Sequence, residues 1–236
     1  KPDFSFWNAW WKEKFHERVE HIRATPQVDY WDKRARDFSA MRRSNDYDYG
    51  RKTYAALRHI LSADATMLDI GAGPGSFIIP FAEKIKFAAA VEPSHEMVHL
   101  LRENAAEAGV SNYAVIEELV QDLPIGGALD RAFDLVTVSL VFWMYADVWP
   151  LILQMEAYTK AYCAIVAEIP DKKNPRSASS CDVEEFQILY NMLAAQGRFA
   201  NVHTIDYRCE RSIEDELRYR LLAYEQYEGD VTDAVR

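Results

Sequence analysis

Cysteine is scarce in this chain: Cys163, Cys181 and Cys209 stand far apart, with no Cys-x-x-Cys pair and no histidine cluster at metal-binding spacing. Neither a disulfide framework nor a zinc site is expected. Basic residues are in the minority, 27 Lys and Arg against 37 Asp and Glu, for a formal net charge of −10. Gripping phosphate backbones takes a surplus of cations, so the balance argues against nucleic acid as a main partner. One local basic cluster, Arg34, Arg36, Arg42, Arg43, Arg51 and Lys52, reads as a solvated helical face. Long apolar runs are missing as well. Uncharged stretches such as Leu135 to Ala146 are too short to cross a bilayer, and the first residues lack the basic-then-apolar pattern of a signal peptide. The expectation is a soluble, cytoplasmic protein with no membrane partner; the start at Lys1 rather than Met points to upstream residues missing or removed. Gly and Pro, 9 each, are too few for a collagenous or low-complexity chain, and no repeat recurs. What is plentiful is apolar surface: 49% hydrophobic and 13% aromatic residues over 236 positions give a globular protein with a sizeable core.

The spacing of the apolar residues changes along the chain. From Phe4 to Arg23, Phe4, Trp7, Trp11, Phe15, Val19 and Ile22 recur every three or four positions, the pattern of an amphipathic helix ending before Pro26. A second helix is predicted over Tyr30 to Met41, a polar turn over Ser44 to Gly50 and a third helix over Arg51 to Leu61. Residues 1–50 are read as a helical cap or lid, and 51–236 as the main domain. From Thr66 short apolar runs alternate with helical stretches, the signature of a parallel sheet covered by helices. Strands are expected at Met67–Ile70, Ala88–Glu92, Tyr113–Glu117, Phe133–Ser139 and Tyr162–Glu168, with helices at about Phe77–Lys84, Glu96–Ala108 and Asp147–Tyr158. Beyond lie a helix at Asp182–Gln196, a possible strand at Asn201–Cys209 and a helix at Ile213–Tyr227 capped by Ser212.

The most informative stretch is Leu68-Asp69-Ile70-Gly71-Ala72-Gly73-Pro74-Gly75-Ser76-Phe77, where a strand runs into a glycine-dense turn that opens a helix. At the carboxyl end of a first strand, absent Cβ atoms let the backbone approach a nucleotide. The dinucleotide fingerprint is broken, because its sixth position, counted from Gly71, is Ser76. Glu92 stands at the tip of the next apolar strand, where an acidic side chain reaches a ribose diol held over the turn. Asp69 can accept from turn amides or bind a ligand's ammonium through water, or it can serve the turn alone.

These residues resemble the class I S-adenosylmethionine-dependent methyltransferases, of the small-molecule type. Asp69 to Gly75 is similar to the family's Asp-x-Gly-x-Gly-x-Gly loop, Glu92 to Met97 to its ribose-binding acid and following helix start, and Phe133-Asp134-Leu135-Val136 to its fourth strand. Tyr30-Trp31-Asp32 and Phe38 resemble the family's approach to the domain, and coverage runs from about Tyr30 to Glu168. The resemblance implies an α/β, Rossmann-like, doubly wound and mostly parallel seven-stranded sheet with an antiparallel last strand, helices on both faces and an N-terminal helical extension. It implies S-adenosyl-L-methionine as cofactor, S-adenosyl-L-homocysteine as product and a small-molecule methyl acceptor. Asp69, Gly71, Ala72, Gly73, Gly75, Glu92, Pro93, Met97, Leu119, Ser139 and Leu140 are the implied cofactor-binding residues. Two departures stand out. Leu119 replaces the family's adenine-contacting Asp, so that Glu118 or Asp122 takes that role, or the backbone of Leu119 and Val120 does. The Asn/Asp-Pro-Pro-Tyr/Phe signature of enzymes that methylate base amines is absent after the fourth strand, where Ser139 to Tyr145 stand instead.

Methyl transfer from a sulfonium is an in-line displacement by an already activated donor, so positioning and exclusion of water dominate and no catalytic residue is assigned. Candidate bases are Glu168, His95, Asp147, Tyr145 and Tyr49, each with a structural role as alternative. The aromatics Trp7, Trp10, Trp11, Tyr30, Trp31, Tyr47, Tyr49, Phe142, Trp143, Tyr145 and Trp149 either wall an apolar or cationic acceptor pocket or pack helices on the sheet. Two further classes share these features: an RNA or protein methyltransferase of the same fold, and a cofactor-binding regulatory protein without methyl transfer.

Overall fold

The central strands are near-continuous apolar runs, buried residue after residue on both of their faces. In the computed structural model, which describes residues 3–19, 27–167, 169 and 182–227, β1 (Thr66–Ile70), β2 (Phe87–Val91), β3 (Tyr113–Ile116), β4 (Phe133–Ser139) and β5 (Thr159–Val166) form one sheet in the order β3-β2-β1-β4-β5. Every pairing is parallel. Leu68, Ile70, Val136 and Val138 face one apolar cluster, and Met67, Ala88, Ala90 and Leu135 face another on the opposite side. That two-sided burial is what parallel strands require.

The helices are α1 (Phe4–Val19), α2 (Gln27–Ser44), α3 (Asp48–Leu57), α4 (Ile78–Ala82), α5 (His95–Glu107), α6 (Trp149–Tyr158), α7 (Asp182–Ala195) and α8 (Ile213–Tyr227). Ser94 caps α5, its Oγ accepting from the Met97 N–H at 3.1 Å. Ser212 caps α8, accepting from the Asp215 N–H at 3.0 Å as expected. Trp11 of α1 is fully buried in the same cluster as Leu68 and Val136, and its indole N–H donates to the Tyr145 carbonyl at 2.8 Å. Residues 20–26, which carry Ile22, Arg23 and Pro26, lie outside the described residues.

Two expectations need correction. Among the described residues the sheet has five strands rather than seven, and no antiparallel strand closes it. Asn201–Cys209 is irregular, and the backbone at its carboxyl end is held by side chains of the α2–α3 region rather than by a ladder. The Asp48 carboxylate accepts from the Arg208 N–H at 2.6 Å, and the Asn45 amide exchanges two bonds with the backbone of Glu210. The second correction concerns the basic cluster, which is not one solvated face. Arg43, Arg51 and Lys52 pair at the surface with Glu107, Glu83 and Asp48, whereas Arg34 and Arg42 turn inward and are only 1% and 4% exposed.

Polar contacts and one close packing fix the helical layer over the carboxyl ends of β1 and β2. Asp32 of α2 accepts from the Ser94 hydroxyl at 2.5 Å, and Asn104 of α5 donates to the Ser39 hydroxyl and to the Pro74 carbonyl, each at 2.9 Å. Gly50 of α3 lies so close to the glycine turn that a Cβ there would stand 2.0 Å from the Ser76 carbonyl oxygen. No described helix is long and apolar enough to cross a membrane.

Candidate active site

The order β3-β2-β1-β4-β5 reverses direction between β1 and β4, and in such sheets a crevice opens beyond the carboxyl ends of the strands at that point. A cavity of about 270 Å³ lies there. Its floor is the glycine turn. Gly71, Gly73 and Gly75 hold φ of 72°, 55° and 94°, values that residues with a Cβ rarely adopt. Gly71 also tolerates no side chain, because a Cβ would come within 2.5 Å of Val141 Cγ2.

Of the residues implied as cofactor-binding, Asp69, Gly71, Ala72, Gly73, Glu92, Pro93, Met97, Leu119, Ser139 and Leu140 line this one cavity. Gly75 does not; it faces Ile79 and Leu101, and its lack of a side chain serves the packing of α4 and α5 against the turn. Glu92 is 6% exposed and accepts from the Gly73 N–H at 2.8 Å and the Ser94 N–H at 2.9 Å. Burial raises its carboxyl above the usual range, while those two bonds oppose the shift. Asp69 is 2% exposed and accepts from the Thr137 hydroxyl at 2.6 Å. Burial pushes its carboxyl up to about 7 against that bond, with the Glu92 charge adding to the rise. Leu140, at the end of β4, takes a φ of 56°, strained for a residue with a side chain. Its carbonyl accepts from the Trp143 indole at 2.9 Å, which sets that ring over the cavity.

Where the family's adenine-contacting Asp is missing, Leu119 and Val120 line the cavity, while Glu118 and Asp122 are exposed and do not. Of the candidate bases, Tyr49 and Tyr145 line it. The Tyr49 hydroxyl is hydrogen-bonded to the Ser139 hydroxyl, and burial raises both phenols, Tyr145 to about 12. His95 is exposed and paired with Glu117 at 2.8 Å, Asp147 is paired with Lys12 at 2.9 Å, and Glu168 lies outside the described residues. No group of three or more metal-ligating side chains occurs among the described residues.

The roof comes from α2, α3 and the turn after β4: Tyr30, Trp31, Phe38, Arg42, Tyr49 and Trp143. The Trp31 and Trp143 rings meet edge-on at 6.3 Å, and the Trp31 indole donates to the Met144 sulfur at 3.0 Å. The reading from sequence missed Arg42, which it placed on a solvated face. The available signal was its spacing. Tyr30, Arg34, Phe38 and Arg42 fall every four positions on one side of α2, so the two cations stand on its aromatic stripe.

A family described as a methyltransferase domain matches residues 67–160, the segment that holds the glycine turn and Glu92. No curated protein matches the sequence. Among solved structures, the chain is similar to an S-adenosylmethionine-dependent methyltransferase from Aquifex aeolicus, with 20% identity, a TM-score of 0.51 and coverage of 67% of this chain and 87% of that one. A Methanococcus maripaludis protein provisionally described as an S-adenosyl-L-methionine-dependent methyltransferase gives 18% identity and a TM-score of 0.51, over 85% of this chain and 86% of the other. A Nostoc punctiforme protein provisionally described as an O-methyltransferase gives 19% and 0.58, over 73% and 55%. At these identities the structures speak for the α/β Rossmann-like fold, and the match over residues 67–160 bears out the resemblance carried by the motifs.

Proposed function

Starting from residues 67–160 as a methyltransferase domain, we propose that the cavity binds S-adenosyl-L-methionine and that the chain transfers its methyl group to a small-molecule acceptor. The observation that carries this reading is the placement of Glu92 beside Gly71 and Gly73 on the floor of one cavity. The residues suit the cofactor. Each Glu92 oxygen is engaged by one backbone N–H and retains a lone pair, so the carboxylate can accept from a ribose diol without giving up its hold on the turn. Gly71 and Gly73 leave room where side chains would intrude, and Leu119, Val120 and Met97 offer apolar contact to a base.

When bound, the cofactor supplies a methyl group already activated on a sulfonium. The chain's own task is to orient and to exclude water. Trp31, Trp143 and Tyr30 close the roof with apolar surface, and water-poor surroundings strengthen the polar contacts within. Tyr49 and Tyr145, with their phenols raised by burial, stay protonated at neutral pH and act as hydrogen-bond donors to an acceptor rather than as bases.

Calorimetric titration tests this reading. The expected outcome is saturable binding of S-adenosylmethionine and S-adenosylhomocysteine, none of NAD, and weakening by about 10-fold or more in Glu92→Ala. Equal affinity in the variant would remove Glu92 from the site, and no binding of either ligand would end the proposal.

A further inference from the structure

The roof of the cavity holds a cation that no described anion answers. Arg42 is 4% exposed and lines the cavity. Its Nε and Nη1 are buried without a partner, and the guanidinium makes no hydrogen bond or ion pair among the described residues. Instead it lies over the rings of Phe38 and Tyr49, at 4.8 and 4.6 Å, with Tyr207 at 5.7 Å. Ring faces hold the head in place but do not satisfy its N–H groups, and a buried charge without hydrogen bonds is costly. None of the described carboxylates pairs with this head.

The neighbours locate it. Phe38 approaches the Gly73 side of the turn, and Tyr49 is bonded to Ser139 at the end of β4, so Arg42 overlooks the β1 and β4 end of the cavity, away from Leu119. We propose that Arg42 is an anion-binding residue, taking a carboxylate or phosphate group of a ligand seated there; this rests on the proposed cofactor reading. A planar guanidinium matches two such oxygens with parallel N–H donors. Two sources share this chemistry, the amino-acid carboxylate of the cofactor and an acidic group on the acceptor. The same geometry disfavours a cationic acceptor, because the guanidinium already covers the ring faces of Phe38 and Tyr49.

The experiment titrates the wild type, Arg42→Lys and Arg42→Met with S-adenosylhomocysteine, with 5′-methylthioadenosine, which lacks the amino-acid portion, and with inorganic phosphate on the S-adenosylhomocysteine complex. If the cofactor carboxylate is the ligand, Arg42→Met weakens S-adenosylhomocysteine by about 30-fold or more, 5′-methylthioadenosine by less than about 2-fold, and Arg42→Lys falls between. If the acceptor supplies the anion, both nucleosides keep their affinity, and the wild-type complex takes up phosphate saturably while the Arg42→Met complex does not. Equal loss for both nucleosides, or no change in either together with no Arg42-dependent phosphate binding, overturns the proposal. Should Arg42→Met fail to fold, the wild type alone decides. A decarboxylated analogue that binds as tightly as S-adenosylhomocysteine, with no phosphate uptake, overturns it equally. Failure of S-adenosylhomocysteine to bind the wild type strikes the cofactor reading itself. Arg34→Gln serves as the control, since Arg34 is equally buried but donates to the Tyr30 carbonyl at 3.3 Å and does not line the cavity. It leaves the ratio between the two nucleosides unchanged.

Discussion

The floor and the roof of the cavity are built on different terms. On the floor, the chain answers its own charges: Glu92 is held by the Gly73 and Ser94 amides, and Asp69 by the Thr137 hydroxyl. On the roof, charge is left open. Arg42, which lines the cavity, keeps Nε and Nη1 buried without a partner among the described residues. A floor satisfied in advance costs little reorganisation when a ligand arrives, and a roof with unanswered donors gains most of its polar contacts at that moment. On the proposed reading, the floor sets which ligand core is accepted and the roof sets how firmly its charged end is held.

The largest effect expected tests whether the floor is as settled as its hydrogen bonds suggest. Asp69 is held near pKa 7 by burial, against an ordinary value of 3.8. The sign follows from which state keeps the proton. Between about pH 4 and 7 the unfolded chain releases this proton while the folded chain retains it, so stability is full below the lower value and is lost as pH rises to the upper one. For this group alone the loss amounts to at most about 4 kcal/mol. Chemical denaturation of the ligand-free protein across that window is expected to show the decline, and Asp69→Asn is expected to flatten it. A variant with the same slope as the wild type would mean that the floor carries no such strain. A ligand ammonium beside Asp69 favours its ionised form, so binding of S-adenosylhomocysteine is expected to release a proton near pH 7, detectable by calorimetry in buffers of differing ionisation enthalpy.

The next effect concerns the seam. Gly50 of α3 meets the turn so closely that an added Cβ would stand 2.0 Å from the Ser76 carbonyl oxygen and 2.6 Å from the Pro80 ring. Carbonyl and proline are backbone and ring, which cannot swing aside. Gly50→Ala is therefore expected to cost about 2 to 3 kcal/mol in denaturant unfolding and to weaken S-adenosylhomocysteine by moving the roof off the floor. A cost below about 1 kcal/mol would show that the two parts are not rigidly joined.

The sequence showed the floor far better than the roof, for a physical reason. The glycine turn, Asp69 and Glu92 owe their places to local rules, a strand ending in residues that permit positive φ and an acid at the next strand's tip, so their positions follow from short spacings. The five parallel strands were readable for the same reason, since apolar runs of four to seven residues broken by helical stretches are local patterns. For Arg42 the local spacing gave only the aromatic side of α2 shared with Phe38; its place over the cavity depends on Tyr49 and Tyr207, and Tyr207 is far away in the chain. The strand expected at Asn201–Cys209 ends in comparably distant contacts, Asp48 holding the Arg208 N–H and Asn45 the adjoining Glu210 carbonyl. Gly75 fits the motif but belongs to packing, a distinction that only the directions of Ile79 and Leu101 reveal.

The smallest effect expected lies where roof and floor touch through one hydrogen bond. Tyr49 of α3 is 3% exposed and is bonded to Ser139 at the end of β4. Phenylalanine keeps the ring that supports Arg42 and packs on Phe77 at 5.1 Å, but it leaves the Ser139 hydroxyl without its buried partner. Tyr49→Phe is therefore expected to cost about 1 kcal/mol of stability. Its effect on S-adenosylhomocysteine affinity is expected to stay below that of Glu92→Ala, because the floor bonds that hold Glu92 are untouched. Calorimetry on the two variants side by side decides the matter. If Tyr49→Phe proves the more damaging, the phenol itself reaches the cofactor, and the division of labour between a selective floor and a holding roof does not stand.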